Sequence, residues 1–307
     1  MTGTDIDREI TIMRVFVTGA SGWIGSAVVP ELLSAGHEVV GLARSEESAA
    51  ALQTTGARVQ RGSLDDLASL RAGAEASDAV IHLAFKHDFF DMAGAGRSER
   101  AALDTFGDVL AGSDRPFLFA AGVAGIAPGR VATERDANPM SGPDAPRGGG
   151  EQLALSFAER GIRPVALRFS PTVHGVGDYG FMSVIADAAR RTGVAGYIGD
   201  GSNRWPAVHR SDAARMVRLA LEKAPAGSVV HAVGEEGIPA REIAEALGRR
   251  LSVPVASIAP DAATEHFGWI AGFFGLDMPA SSTLTQELLD WTPTGPTLAE
   301  DIAAGAY

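Results

Sequence analysis

The chain has 307 residues, 46% hydrophobic and 21% charged, enough to bury one large core or two tightly joined ones. Its formal net charge is −12 with no basic run, which argues against nucleic acid and anionic membranes as partners, since both require clustered Lys and Arg. There is no cysteine, so disulfides, thiolate metal sites and a cysteine nucleophile are excluded.

The N-terminal stretch Thr2–Glu9 is acidic and polar, and nothing has the pattern of a signal peptide or a membrane span; a cytoplasmic protein is expected. Residues 1–12 read as a disordered extension, or Met13 is the natural start. Val15-Phe16-Val17 then has the short apolar character of a strand buried on both faces, and Ile24–Leu33 has helical spacing. Between them stands Thr18–Gly25, TGASGWIG. Glycines 19, 22 and 25 remove Cβ atoms where the turn is sharp, where a pyrophosphate approaches the backbone, and where helix meets strand. The helix start then offers N–H groups to phosphate, so Gly19, Ser21, Gly22, Trp23, Ile24 and Gly25 are expected to hold a dinucleotide.

A second strand, Glu38–Leu42, ends in Ala43-Arg44-Ser45, about 20 residues past the last glycine. An acid there would bind both ribose hydroxyls of NAD. Arg44 and Ser45 suit a 2′-phosphate instead, so NADP(H) is preferred over NAD(H). Ala57–Gln60 reads as a third strand, and a helix follows around Leu67–Ala74. The fourth strand, Ala79–Ala84, ends where ligands gather in such sheets, with Leu83, Ala84, Phe85 and Lys86 expected beside the cofactor; the following His87, Asp88 and Phe89 either line a substrate pocket or belong to a surface loop with an aromatic lid on the core.

Ser98–Ala111 has helical spacing, Pro116–Ala120 is a fifth strand, and Ala127–Pro146 is a long loop expected to flank the active site. The helix Glu151–Arg160 and a sixth strand, Arg163–Arg168, complete a doubly wound α/β sheet over residues 13–168. Residues 169–307 read as a smaller, interleaved substrate-binding region partly returning to that sheet. It has helices at Ala213–Lys223 and Ala240–Leu251, a late strand at Ser228–Val233, and loops at Gly175–Gly180, Gly196–Pro206 and Phe267–Leu276. Its aromatics suggest a hydrophobic small-molecule pocket whose wall would be Phe85, Phe89, Phe181, Met182, Tyr197, Trp205, Phe267 and Trp269, with Val123 beside the substrate, although each of these aromatics taken alone reads as core rather than ligand contact.

The T-G-x-x-G-x-x-G spacing resembles the extended branch of the short-chain dehydrogenase/reductase superfamily. Arg168–Gly175, RFSPTVHG, is similar to the strand and turn that pack on the nicotinamide there, and Trp205–Ala214, WPAVHRSDAA, to the later HVDDVA segment. The resemblance implies a Rossmann fold over about residues 13–300, with an adenine-contacting loop at Ser63 and Leu64. It also implies nicotinamide contacts at Gly122, Phe169 and Thr172. It further implies a Ser or Thr, a Tyr and a Lys as catalytic groups, yet the matching strand end is Ala120-Ala121-Gly122, and Arg147 and Glu151 stand in the Tyr and Lys positions. The chain therefore looks like an atypical member of the NAD-dependent epimerase/dehydratase-like family.

Without that triad, Arg147 and Glu151 are read as an i, i+4 pair on the active-site face, or as a surface salt bridge. His174 is the candidate proton donor, or a structural histidine. His209 is read as structural beside Asp212. No cluster has metal-ligand spacing. The expected activity is hydride transfer to an apolar C=N, C=O or C=C compound. The alternatives are a non-catalytic NADP(H)-binding redox sensor and a nucleotide-sugar epimerase or dehydratase. Ser98–Ala111 and Glu151–Arg160 are the helices through which a homodimer would form, or they pack within one subunit.

Overall fold

The computed structural model describes residues 11–86, 91–145 and 149–307. The first half alternates strictly: β1 (Arg14–Thr18), α1 (Gly25–Ser34), β2 (Glu38–Ala43), α2 (Glu46–Thr54), β3 (Arg58–Arg61), α3 (Leu67–Glu75) and β4 (Ala79–His82). It continues with α4 (Met92–Leu110), β5 (Pro116–Gly122), α5 (Gly150–Ser156) and β6 (Arg163–Phe169). The second half holds β7 (Thr172–His174), α6 (Phe181–Thr192), β8 (Ala195–Ile198), β9 (Arg204–His209), α7 (Arg210–Lys223), β10 (Ser228–Ala232) and β11 (Glu235–Pro239). After them come α8 (Ala240–Leu251), β12 (Val255–Ile258), α9 (Ala263–Phe267), α10 (Ala271–Phe274), α11 (Thr283–Leu289) and α12 (Leu298–Ala304).

Seven of the described strands form one parallel sheet in the order β10-β6-β5-β4-β1-β2-β3. This is the expected doubly wound α/β sheet. Val15, Phe16 and Val17 are fully buried because both faces are covered. Val28 and Leu32 of α1, Leu52 of α2 and Val217 of α7 pack on one face; Leu70 of α3, Phe106 of α4 and Phe157 after α5 pack on the other. The strand order reverses between β1 and β4, which opens a crevice at their carboxyl ends. Both α1 and α7 begin on that edge.

The late strand β10 lies beside β6, so the C-terminal half re-enters the main sheet. The rest builds a second core from α6, α8, Trp205, Phe267, Phe274 and α12. Gly196–Pro206, expected as a loop, contains β8 and the start of β9; β8 pairs with β12 and β9 with β7 and β11, far along the chain. Phe267–Leu276 is likewise a run of short helices. The long loop after β5 is strapped down: Ala132 N–H donates to Pro279 O and Ser281 N–H to Ala132 O, both at 2.8 Å. Among the described residues no helix is long and apolar enough to cross a membrane.

Candidate functional site

The turn after β1 is a cradle that a single methyl group would fill. Gly19 has φ +67°, and a Cβ there would lie 2.7 Å from Ala84 N at the end of β4. A Cβ on Gly25 would lie 2.0 Å from Gly19 O. Gly22 N–H closes the turn onto Gly19 O at 2.9 Å, and α1 opens without a side-chain cap; Ser26 N–H bonds back to Gly22 O at 2.9 Å, which leaves the Ile24 and Gly25 N–H groups for an anion. Thr18 joins the turn to β4, its Oγ1 2.7 Å from His82 Nδ1 and accepting from Ala84 N–H at 3.3 Å. The residues thus fit a dinucleotide pyrophosphate. Ser21 is exposed at the tip, and Ile24 packs inward on the core.

At the far end of the crevice Arg44 follows β2, exposed and, among the described residues, without an ion-pair or hydrogen-bond partner. Ser45 is the N-cap of α2, its Oγ accepting from Ser48 N–H at 3.1 Å in a capping box. Ser63 and Leu64 are half-buried in the loop after β3. Lys86, expected at the cofactor, gives its ammonium to Asp65 at 2.5 Å, and Ser98 Oγ donates to the same carboxylate at 3.0 Å. These bonds, the Lys86 one first, hold the Asp65 carboxyl below the usual carboxylate range. Leu83 and Phe85 are half-buried, and Leu83 N–H donates to Thr18 O at 3.2 Å.

The other end corrects the expectation for Glu151. Its carboxylate is 4% exposed and is saturated by Arg168, whose Nε reaches both oxygens at 3.1 Å and whose Nη2 reaches Oε1 at 2.5 Å. Asn138 Nδ2 donates to Oε2 at 3.0 Å. Among the described residues these donors occupy both carboxylate oxygens. Arg168 Nη1 donates to His231 Nε2 at 3.3 Å, and His231 Nδ1 donates to Ser281 O at 2.7 Å, which fixes the tautomer because a carbonyl only accepts. Gly122 is half-buried at the end of β5, and the next residue, Val123, is buried, its N–H donating to Phe169 O at 3.1 Å. Phe169 and Thr172 are buried as well, with Thr172 Oγ1 unpartnered.

His174 also departs from its expected role. It is fully buried, Nδ1 donates to Asp301 Oδ2 at 2.6 Å, and Nε2 lies 3.8 Å from Glu235. Burial, outweighing the pull of Asp301, pushes its imidazole below the usual range. Such a group anchors α12 and reaches no solvent. His209 Nδ1 accepts from Ser211 N–H at 3.3 Å and caps α7.

Met182 and Trp205 are fully buried in the second core and cannot wall an open pocket. Tyr197 is packed between Gly201 and the Arg241 guanidinium, 4.8 Å above its ring. Phe181 stays half-buried, tilted against Phe273 at 4.9 Å and edge-on to Trp269 at 6.1 Å; Trp269 is exposed. A groove of about 750 Å³ between α6 and α9, lined by Val184, Ala188, Arg191 and Phe267, touches none of the glycine turn. Arg147, His87, Asp88 and Phe89 lie outside the described residues. Among the described residues no group of three His, Asp or Glu is placed to hold a metal.

The model of the NAD dependent epimerase/dehydratase family matches residues 15–113, the stretch from β1 past α4. An uncharacterized protein of Schizosaccharomyces pombe is 48% identical over 296 residues, covering 96% of this chain and 100% of its own length. The chain belongs to the NAD dependent epimerase/dehydratase family. A 4-hydroxy-2-methyl-3-oxo-4-farnesyl-3,4-dihydroquinoline-1-oxide ketoreductase of Stigmatella aurantiaca is 28% identical, covering 71% of this chain and 67% of its own. A dTDP-glucose 4,6-dehydratase double mutant from Streptomyces venezuelae, solved with NAD bound, superposes with TM-score 0.74 at 20% identity over 96% of both chains, a likeness of fold.

Sequence reasoning did not single out Asn138, His231, Asp301 or the partnership of Arg168 with Glu151. One signal was present: Arg168 is the penultimate residue of a strand otherwise apolar from Pro164 to Phe169, and a cation there requires a buried partner. Nothing local named that partner.

Proposed function

We propose that this family member is an NADP(H)-dependent oxidoreductase that delivers hydride to an apolar small molecule bearing a C=O, C=N or C=C bond. The observation that carries the reading is Arg44: an exposed, unpartnered cation directly after β2, where a dinucleotide seated on the Gly19–Gly25 turn places its adenosine ribose. The relative named as a ketoreductase for a farnesylated quinoline supports reduction of an apolar cyclic substrate.

The bound nicotinamide would supply the hydride itself. The chain would hold the pyrophosphate on the α1 N-terminus and the 2′-phosphate at Arg44, with Arg147 carried over from the sequence as a basic group ahead of α5. A tyrosine proton donor has no support: Tyr307 donates to Asp178 at 2.5 Å, Tyr197 is packed under Gly201, and Tyr179 is exposed on the loop after β7. Proton delivery then falls to water or to the substrate, and a protonated imine brings its own.

The test is consumption of NADPH and NADH across cyclic ketones, imines and enones, with wild type and Arg44→Ala. Expected are turnover with NADPH and a rise in KM for NADPH of on the order of 10- to 100-fold in the variant, the loss of one charge-assisted phosphate contact, with NADH little changed. Tight NADPH binding without turnover of any class would replace the reductase by a cofactor-binding sensor, which the hydroxyl-free strand end Ala120-Ala121-Gly122 favours.

A further inference from the structure

Arg210 is the first residue of α7, at the edge of the sheet where α1 also begins. Its guanidinium carbon lies 4.2 Å from the centroid of the Trp23 ring, and Nη2 donates to Ser26 Oγ at 2.7 Å in the first turn of α1. Ser26 Oγ in turn donates to Gly22 O at 2.7 Å, and Trp23 Nε1 donates to Val173 O at 2.6 Å. A single cation is therefore wedged at the N-termini of two helices and tied to the carbonyl framework of the glycine turn.

That position is electrostatically wrong for a resting protein. Helix N-termini carry partial positive charge and favour anions, and Arg210 stands against two of them. Among the described residues it has no ion pair, and its Nε is buried without a partner. The carboxylate that acts on it, Asp178, makes no ion pair with it among the described residues and accepts instead from Tyr307 at 2.5 Å and from Gly180 N–H at 2.7 Å. Burial, outweighing the pull of Tyr179 and Asp178, leaves the guanidinium below the usual arginine range. The stack on Trp23 and the bond to Ser26 hold the group in place without neutralising it.

We propose that Arg210 is part of the phosphate seat, a fixed cation that compensates the dinucleotide pyrophosphate and is compensated by it. The proposal rests on the dinucleotide reading of the glycine turn. It assigns Arg210 a charge role distinct from that of Arg44, which acts at the 2′-phosphate.

Binding of NADPH, ADP-ribose and adenosine 2′-monophosphate to the full chain, followed by calorimetry, tests it with Arg210→Met and Arg210→Lys. The Met variant is expected to bind NADPH and ADP-ribose on the order of 10-fold more weakly, as loss of one charge-assisted phosphate interaction predicts. Adenosine 2′-monophosphate, which has no pyrophosphate, is expected to bind it unchanged. The Lys variant, which keeps the charge and gives up the planar stack, should recover most of the loss. Equal affinity of wild type and Met variant for ADP-ribose would overturn the assignment, as would a parallel loss for adenosine 2′-monophosphate, which marks Arg210 as a structural clamp. A Met variant that does not fold leaves the decision to Lys, where a loss for ADP-ribose as large as for adenosine 2′-monophosphate is again a clamp. Wild type binding none of the three overturns the dinucleotide reading itself.

Discussion

Arg168 and Glu151 show what a single substitution does when both charges are removed from water. Their side chains are 1% and 4% exposed, and Asn138 and His231 take up the remaining hydrogen-bonding capacity around them. Removing one partner strands the other, so Glu151→Ala should lower unfolding free energy by about 3–5 kcal/mol in a denaturant titration. Replacing the pair together by Glu151→Leu and Arg168→Met should recover most of that loss, because neither charge then remains to be desolvated. If Glu151→Ala keeps full stability and loses only turnover, the carboxylate belongs to the chemistry after all. The i, i+4 spacing pointed to Arg147 as its partner because helical neighbours are what a linear pattern exposes. Among the described residues its partner is 17 residues downstream on a strand, and no periodicity connects the two.

Elements were legible where their cause is local. The glycine turn and the strands β1 to β6 each follow from neighbours in sequence, and the structure places them within a few residues of expectation, whereas α2 and the capping role of Ser45, read from the sequence as a phosphate contact, were missed. Strands β8 and β9 were not legible, since Ala195–Ile198 is a strand only through pairing with Val255–Ile258. Met182 and Trp205 failed as pocket residues for the same reason: which aromatic is core and which is wall depends on packing between α6, α8 and α10. The turn carries its own test. A Cβ at Gly25 would sit 2.0 Å from Gly19 O, a backbone atom that cannot swing away. Gly25→Ala should therefore weaken NADPH at least 10-fold by calorimetry, since the first turn of α1 must shift out of register with the phosphate. Gly227, at φ +81° with open space around it and outside the crevice, gives the control: Gly227→Ala should cost stability but leave NADPH affinity as it was.

At the scale of the molecule, the C-terminal segment closes the second core through titratable contacts. Asp301 on α12 accepts from His174, Glu235 caps α12 by accepting from Leu298 N–H at 2.7 Å, and Tyr307 is bound to Asp178 in the loop after β7. These groups answer pH in opposite senses. His174 and His231 are pushed below the ordinary histidine value by burial, so the unfolded chain takes up protons first as pH falls through about 6.5. Their contribution to stability is complete above that pH and is lost below it. Glu235 and Asp178 are pushed upward by burial, so they favour the folded state at acid pH and lose that contribution as pH rises through their folded values. On acidification the carboxylate gain opposes the histidine loss, so a histidine variant isolates the histidine share. In denaturant titrations from about pH 7.5 to about 5.5 the histidine share of unfolding free energy should fall, by at most about 1.4 kcal/mol per pH unit for each histidine. In His174→Gln, whose amide can still donate to Asp301, the slope should shrink by up to one proton while stability near neutral pH changes less. An unaltered slope in that variant would mean His174 charges as easily in the folded chain as in the unfolded one, and Asp301 would then outweigh burial at this contact.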